Sequence, residues 1–198
     1  MPISRRNLLM LVTASGLAPS LAHAEDPRLT QRAVGDPSAK VQVNEWFSMT
    51  CTHCAAFAQE TFPQVKKNLI DTGKVFYIFH DFPLDQVALT AEMVARALPP
   101  DRYEPFLQAL FASQDRWAFA QGVNSTDEIW KFAALAGMTR ATFDATVADT
   151  TLRDAILARQ KADATKWSID STPTFVIDGQ KHAGEMGYDA FVKLIPDA

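Results

Sequence analysis

Val41-Gln42-Val43-Asn44-Glu45-Trp46-Phe47 leads through Ser48-Met49-Thr50 into Cys51-Thr52-His53-Cys54, and Ala55 to Ile70 follows with a helical composition. β-branched and aromatic residues mark the first run as a strand. A Cys-x-x-Cys between a strand and a helix places its first sulfur at the helix N-terminus. There, unpaired backbone N–H groups and the positive end of the helix dipole favour thiolate over thiol. Cys51 is therefore read as the attacking sulfur. Cys54, directed into the first turn and shielded, is read as the resolving one. His53 can donate a hydrogen bond or positive charge to the Cys51 sulfur. A Cys51 pKa of about 4 would favour the reduced state by roughly 4 kcal/mol at pH 7, raising the reduction potential by about 90 mV.

Working outward, Pro63 lies inside the helix and is expected to kink it. Asp71-Thr72-Gly73 ends it, and Val75 to Phe79 reads as a second, buried strand. From about 84 to 167 the pattern is helical. Helices are expected at about 85–98, stopped by Pro99-Pro100, then at 103–113, 129–136, 140–147 and 151–166. Ser125-Thr126-Asp127-Glu128 reads as a capping box. Thr174 to Ile177, the turn Asp178-Gly179 and Gln180 to His182 form a hairpin, and Tyr188 to Ile195 a last helix. The expected fold class is α/β: a mixed sheet interrupted by an inserted helical subdomain, since a loop of that length without structure is rare.

Of the 198 residues 47% are hydrophobic and 21% charged, with 8 Gly and 11 Pro, which excludes disordered and collagen-like chains. The net charge of -4 and the lack of a basic tract argue against nucleic acid as a partner. Other readings of the two cysteines are half of a zinc site and a permanently closed structural disulfide. Against zinc, His53, His80 and His182 have no ligand-like spacing; against a structural bridge, so small a ring constrains the unfolded chain little. His53 also has a plain reading, as an exposed loop histidine. No metal or other cofactor is expected. Trp46, Met49, Phe111 and Trp117 are candidates for the core or for an apolar peptide groove.

Two segments together carry a resemblance. Glu45 to Cys54 is similar to the active-site segment, and Ser171-Thr172-Pro173-Thr174-Phe175-Val176 to the cis-proline loop, of DsbA-like thiol:disulfide oxidoreductases of the thioredoxin superfamily. The resemblance spans residues 35–198. It implies a thioredoxin-like sheet, a cis Pro173 that brings the Thr172 backbone beside the Cys51 sulfur to pair with an extended substrate, and a proton-moving role for Glu45 beneath the disulfide. Two departures from the family matter: Thr52 stands where the best-known oxidant has proline, and Thr172 is also found in isomerases.

Residues 1–24 read as a leader. Arg5 and Arg6 precede a short apolar stretch from Leu8 to Ala18, and Ala22-His23-Ala24 is a cleavage site. Ser4-Arg5-Arg6-Asn7-Leu8-Leu9 also resembles a twin-arginine signal. Residues 25–198 are then expected to work in the periplasm as a single domain, an exported monomeric oxidase that passes its disulfide to reduced exported proteins. Monomer is favoured because only Glu25 to Thr50 precede Cys51, too little for the isomerases' N-terminal dimerisation domain. A DsbB-like membrane quinone reductase is the implied reoxidant. The alternatives are a reductase or isomerase of the same fold and a copper- or zinc-handling thiol protein.

Overall fold

The structure, a computed structural model, describes residues 26–196. The expected leader lies outside the described residues. Five strands, β1 (Arg32–Val34), β2 (Val41–Phe47), β3 (Val75–Asp81), β4 (Thr174–Ile177) and β5 (Gln180–Ala183), form one sheet in the order β1-β3-β2-β4-β5. β2 and β3 are parallel, and the other neighbours antiparallel. This is the expected mixed sheet. β1 lies in a polar stretch that ends in the turn cluster Gly35-Asp36-Pro37-Ser38. Three residues carrying an arginine show no alternation, and the strand exists because β3 offers it an edge.

Side chains alternate across β2. Val43 and Phe47 enter the main core on one face, while Trp46 packs with Phe82, Ile169 and Val176 on the other. On the main face lies a helical stretch from Thr52 to Ile70, made of α1 (Thr52–Ala56), a π turn (Phe57–Thr61), α2 (Phe62–Val65) and a second π turn (Lys66–Ile70). Pro63 does not break it. The Phe62 N–H bonds the Phe57 carbonyl five residues back, so a wide turn takes up the missing donor.

Between β3 and β4 run α3 (Gln86–Ala97), α4 (Pro100–Phe111), α5 (Gln114–Trp117), α6 (Ser125–Leu135), α7 (Arg140–Val147) and α8 (Thr150–Trp167); α9 (Tyr188–Val192) follows the hairpin. Several boundaries differ from the sequence reading for local reasons. Pro100 opens α4 instead of only ending α3, because its fixed φ and absent N–H suit a first helical position. Asn124, not Ser125, caps α6, its side chain accepting from the Thr126 and Asp127 amides.

Asp81, Arg96 and Tyr103 form a buried cluster where the sheet meets this block. Arg96 Nε donates to Asp81 Oδ2 at 2.5 Å, and the Tyr103 hydroxyl to Asp81 Oδ1 at 2.9 Å. Arg96 Nη1 also donates to the Thr30 carbonyl, and Arg32 to the Arg96 carbonyl.

Gly35, at the end of β1, has φ +99°, and a Cβ there would stand 2.6 Å from the Val75 carbonyl oxygen. Strain and overlap with backbone act together. Gly35→Ala is expected to cost about 2–3 kcal/mol in urea unfolding; a loss under about 0.5 kcal/mol would show that the turn relaxes freely.

Candidate active site

The C-terminal end of β2 delivers the chain to the N-terminus of α1, with Cys51 as the capping residue. Both cysteines are free thiols. The Cys54 amide donates to Cys51 Sγ at 3.3 Å, and the Cys51 thiol donates to the Thr172 carbonyl at 3.2 Å. The Thr172–Pro173 bond is cis, so the loop before β4 stands against the sulfur. Cys51 keeps a trace of exposure, while Cys54 has none.

The two sulfurs are electrostatically unlike. Cys51 is lowered from the ordinary thiol range to about 6, chiefly by its hydrogen bond with the Cys54 side chain, with help from Thr172 and the Cys54 and His53 backbone amides against the cost of burial. Cys54 is pushed well up, by burial first and then by the Cys51 sulfur and Glu45. Burial opposes the lowering at Cys51, so its pKa falls less far than the value near 4 entertained from sequence.

Glu45 is buried on the face of β2 that carries the cysteines and accepts from the Tyr77 hydroxyl at 2.8 Å. Burial raises it to about 7, against the Tyr77 hydrogen bond and with a contribution from Cys51. A carboxyl half protonated near neutral pH can give and take a proton under the same conditions. His53 stands differently from its sequence expectation. Its ring is 68% exposed and lies 3.3 Å from Glu185, while its backbone amide is the part that favours the Cys51 thiolate. The ring fits the plain reading of an exposed histidine.

Trp46, Met49, Phe111 and Trp117 are all buried, which makes them core and not walls of an open groove. His80 stacks on Trp46 at 4.4 Å and pairs with Asp163, and His182 is on β5. Among the described residues no group of three or more His, Cys, Asp or Glu side chains is placed to hold a metal ion.

Two polar residues that the sequence reading passed over touch the turn before Cys51. Gln114 Nε2 donates to the carbonyls of Met49 and Cys51, and Glu92 Oε1 accepts from the Met49 amide. Both lie in the helical block, and only the tertiary structure brings them to the cysteines.

Residues 28–197 match the thioredoxin family. Wolbachia pipientis alpha-DsbA1 superposes with a TM-score of 0.78 at 31% identity, covering 84% of this chain and 89% of that one. Disulfide bond formation protein D of Bacillus subtilis is 24% identical over 177 residues, 83% of this chain and 75% of that protein. A Rickettsia felis protein named as a protein-disulfide oxidoreductase is 26% identical over 147 residues, 74% of this chain. The chain spans about half the length of that relative, 52%. The sheet order, the Cys51–Cys54 pair facing a cis-proline loop and these matches agree: the chain belongs to the thioredoxin family, in its DsbA-like thiol:disulfide oxidoreductase branch.

Proposed function

We propose that this chain is an exported, periplasmic dithiol oxidase that donates the Cys51–Cys54 disulfide to reduced exported proteins. The observation that carries the direction is the asymmetry of the two sulfurs, Cys51 lowered to about 6 and Cys54 raised. A substrate thiolate attacks Cys51 Sγ, and the electron pair of the S–S bond leaves with Cys54. Cys54, the poor leaving group, needs a proton, and Glu45, raised to about 7, is the proposed donor. The second substrate thiolate then attacks the substrate sulfur of the mixed disulfide and expels Cys51 as a stable thiolate. A leaving thiol of low pKa leaves faster, so the second step runs towards oxidised substrate, while the first relies on protonation of Cys54.

The backbone of Thr172, beside the reacting sulfur, is proposed to pair with the extended substrate while Pro173 keeps that loop in place. A DsbB-like membrane quinone reductase is the proposed reoxidant: Cys51 thiolate attacks its disulfide, and Cys54, deprotonated through Glu45, resolves the complex. No helix among the described residues is long and apolar enough to cross a membrane. Residues 25–198 are proposed to act as one domain and as a monomer after loss of residues 1–24.

The experiment is the equilibrium reduction potential against glutathione at pH 7. With the Cys51 pKa at about 6, its thiolate favours the reduced form by about 1.4 kcal/mol over an ordinary thiol, roughly 30 mV. That is smaller than the roughly 90 mV of a pKa near 4. The expected value is therefore near −180 mV, at the lower edge of the oxidant range of about −120 to −180 mV; a value near −270 mV makes the protein a reductase and overturns the direction. The sign of the pH dependence follows from the lowered Cys51: its contribution to the stability of the reduced form is complete above the ordinary thiol pKa and is lost as pH falls through about 6.

A further inference from the structure

We infer that Gln114 and Glu92 are positioning residues: from the helical block they hold the turn that precedes Cys51, keeping the amides of His53 and Cys54 aimed at the Cys51 sulfur. The inference rests on the reading of Cys51 as the attacking thiolate.

The turn is held through its peptide groups. The Met49 amide donates to Glu92 Oε1 at 3.2 Å, and the Met49 carbonyl accepts from Gln114 Nε2 at 2.8 Å. The second hydrogen of the same Nε2 reaches the Cys51 carbonyl at 3.0 Å, which also accepts from the Ala55 amide at 3.1 Å. Inside the turn, the Cys51 amide bonds the Ser48 carbonyl. Gln114, Glu92 and Met49 are all buried, so no water competes for these groups.

Rotation about Cys51 moves its carbonyl together with the Thr52 nitrogen, because both belong to one planar peptide. Fixing that oxygen from two sides therefore fixes where α1 begins relative to Sγ. Hydrogen bonds weaken steeply as they bend, so a small rotation would remove donors from the sulfur without unfolding the helix.

Glu92 Oε1 can accept in either protonation state, and burial disfavours the charged one. Burial raises it well above the usual carboxylate range, with Asp81 adding to the effect against the Met49 amide and Arg96. Its Oε2 has no partner, so nothing on that side requires a charge. Asp81, Asp85 and Arg96 are the charged groups that face it. A Gln at this position keeps the accepting oxygen, whereas a Met removes it at similar volume.

The test is a titration of the Cys51 thiolate at 240 nm in the reduced full chain, with folding followed by circular dichroism. Gln114→Met and Glu92→Met are each expected to raise the Cys51 pKa by about one unit, tenfold less thiolate well below that pKa. Glu92→Gln is expected to titrate as the wild type. Should either Met variant fail to fold, Gln114→Asn, one methylene shorter but still polar, withdraws the amide from both carbonyls, and it is expected to show the same shift. Folded variants lacking the contacts but with a wild-type Cys51 titration overturn the inference, because a merely structural role lowers stability without moving that curve. A wild type that titrates as an ordinary thiol overturns the underlying reading of Cys51 instead.

Discussion

Cys51→Ser is expected to lose thiol-oxidising activity by at least about a thousandfold, whereas Cys54→Ser is expected to accumulate a covalent complex with its substrate. The two sulfurs have different tasks because their surroundings differ. Cys51 is a lowered thiolate at the cap of α1, with some exposure and a neighbouring backbone for a peptide to lie against. A serine hydroxyl there is neither ionised at neutral pH nor able to form a disulfide. Cys54 is shielded and raised. Removing it leaves Cys51 able to enter a mixed disulfide but takes away the internal sulfur that would otherwise return the complex to the closed pair. Incubation with a substrate protein carrying a single reduced cysteine and an oxidant, followed by a non-reducing gel, separates the cases. The expected Cys54→Ser product is a band at the summed mass that disappears with dithiothreitol. Retained oxidase activity in Cys51→Ser, or adducts formed at Cys54 in its place, would sink the assignment of roles.

The redox pair, the strands on either side of it and the helical insertion were legible in the sequence because their signals are local. β2 is apolar and aromatic, Cys51 and Cys54 are three residues apart, and Ser171 to Val176 is a compact motif. What was not legible depends on distance. β1 is a strand only because β3 lies beside it, and Gln114 in sequence is a polar residue three positions before Trp117. How far the Cys51 pKa falls depends on groups that only the fold brings to it, among them the Thr172 carbonyl, whose hydrogen bond lowers it from 121 residues away. The orientation of His53 is a surface outcome, decided by Glu185 in the loop after β5. Glu45 is intermediate. A lone acid in an apolar strand was visible, but its partner Tyr77 and its rise to about 7 belong to the assembled core.

Arg96→Met is expected to cost about 3–5 kcal/mol in denaturant unfolding, the range for leaving a buried charge without its partner. Arg96 and Asp81 are each nearly fully buried, with side chains 5% and 6% exposed. Burial alone works against the guanidinium charge, and Asp81, Tyr103 and Glu92 more than offset it, so the pKa of Arg96 ends above its ordinary value. Without Arg96, Asp81 keeps the Tyr103 hydroxyl but has lost its cation, and the Thr30 carbonyl loses a donor. The cluster ties the end of β3 to α3, α4 and the segment leading into β1, so the loss falls on the joint between sheet and helical block. Replacing both partners distinguishes the cost of an orphaned charge from the value of the pair. If desolvation of the pair nearly cancels its attraction, Asp81→Leu combined with Arg96→Met should recover most of the loss. A double variant as unstable as the sum of the single ones would mean that the ion pair contributes little coupling and that Arg96 acts mainly through its bond to the Thr30 carbonyl. Glu92, on the neighbouring turn of α3, faces the same charges. The single Arg96→Met variant should therefore leave Glu92 still more firmly neutral, and the Cys51 titration close to the wild type even as stability falls.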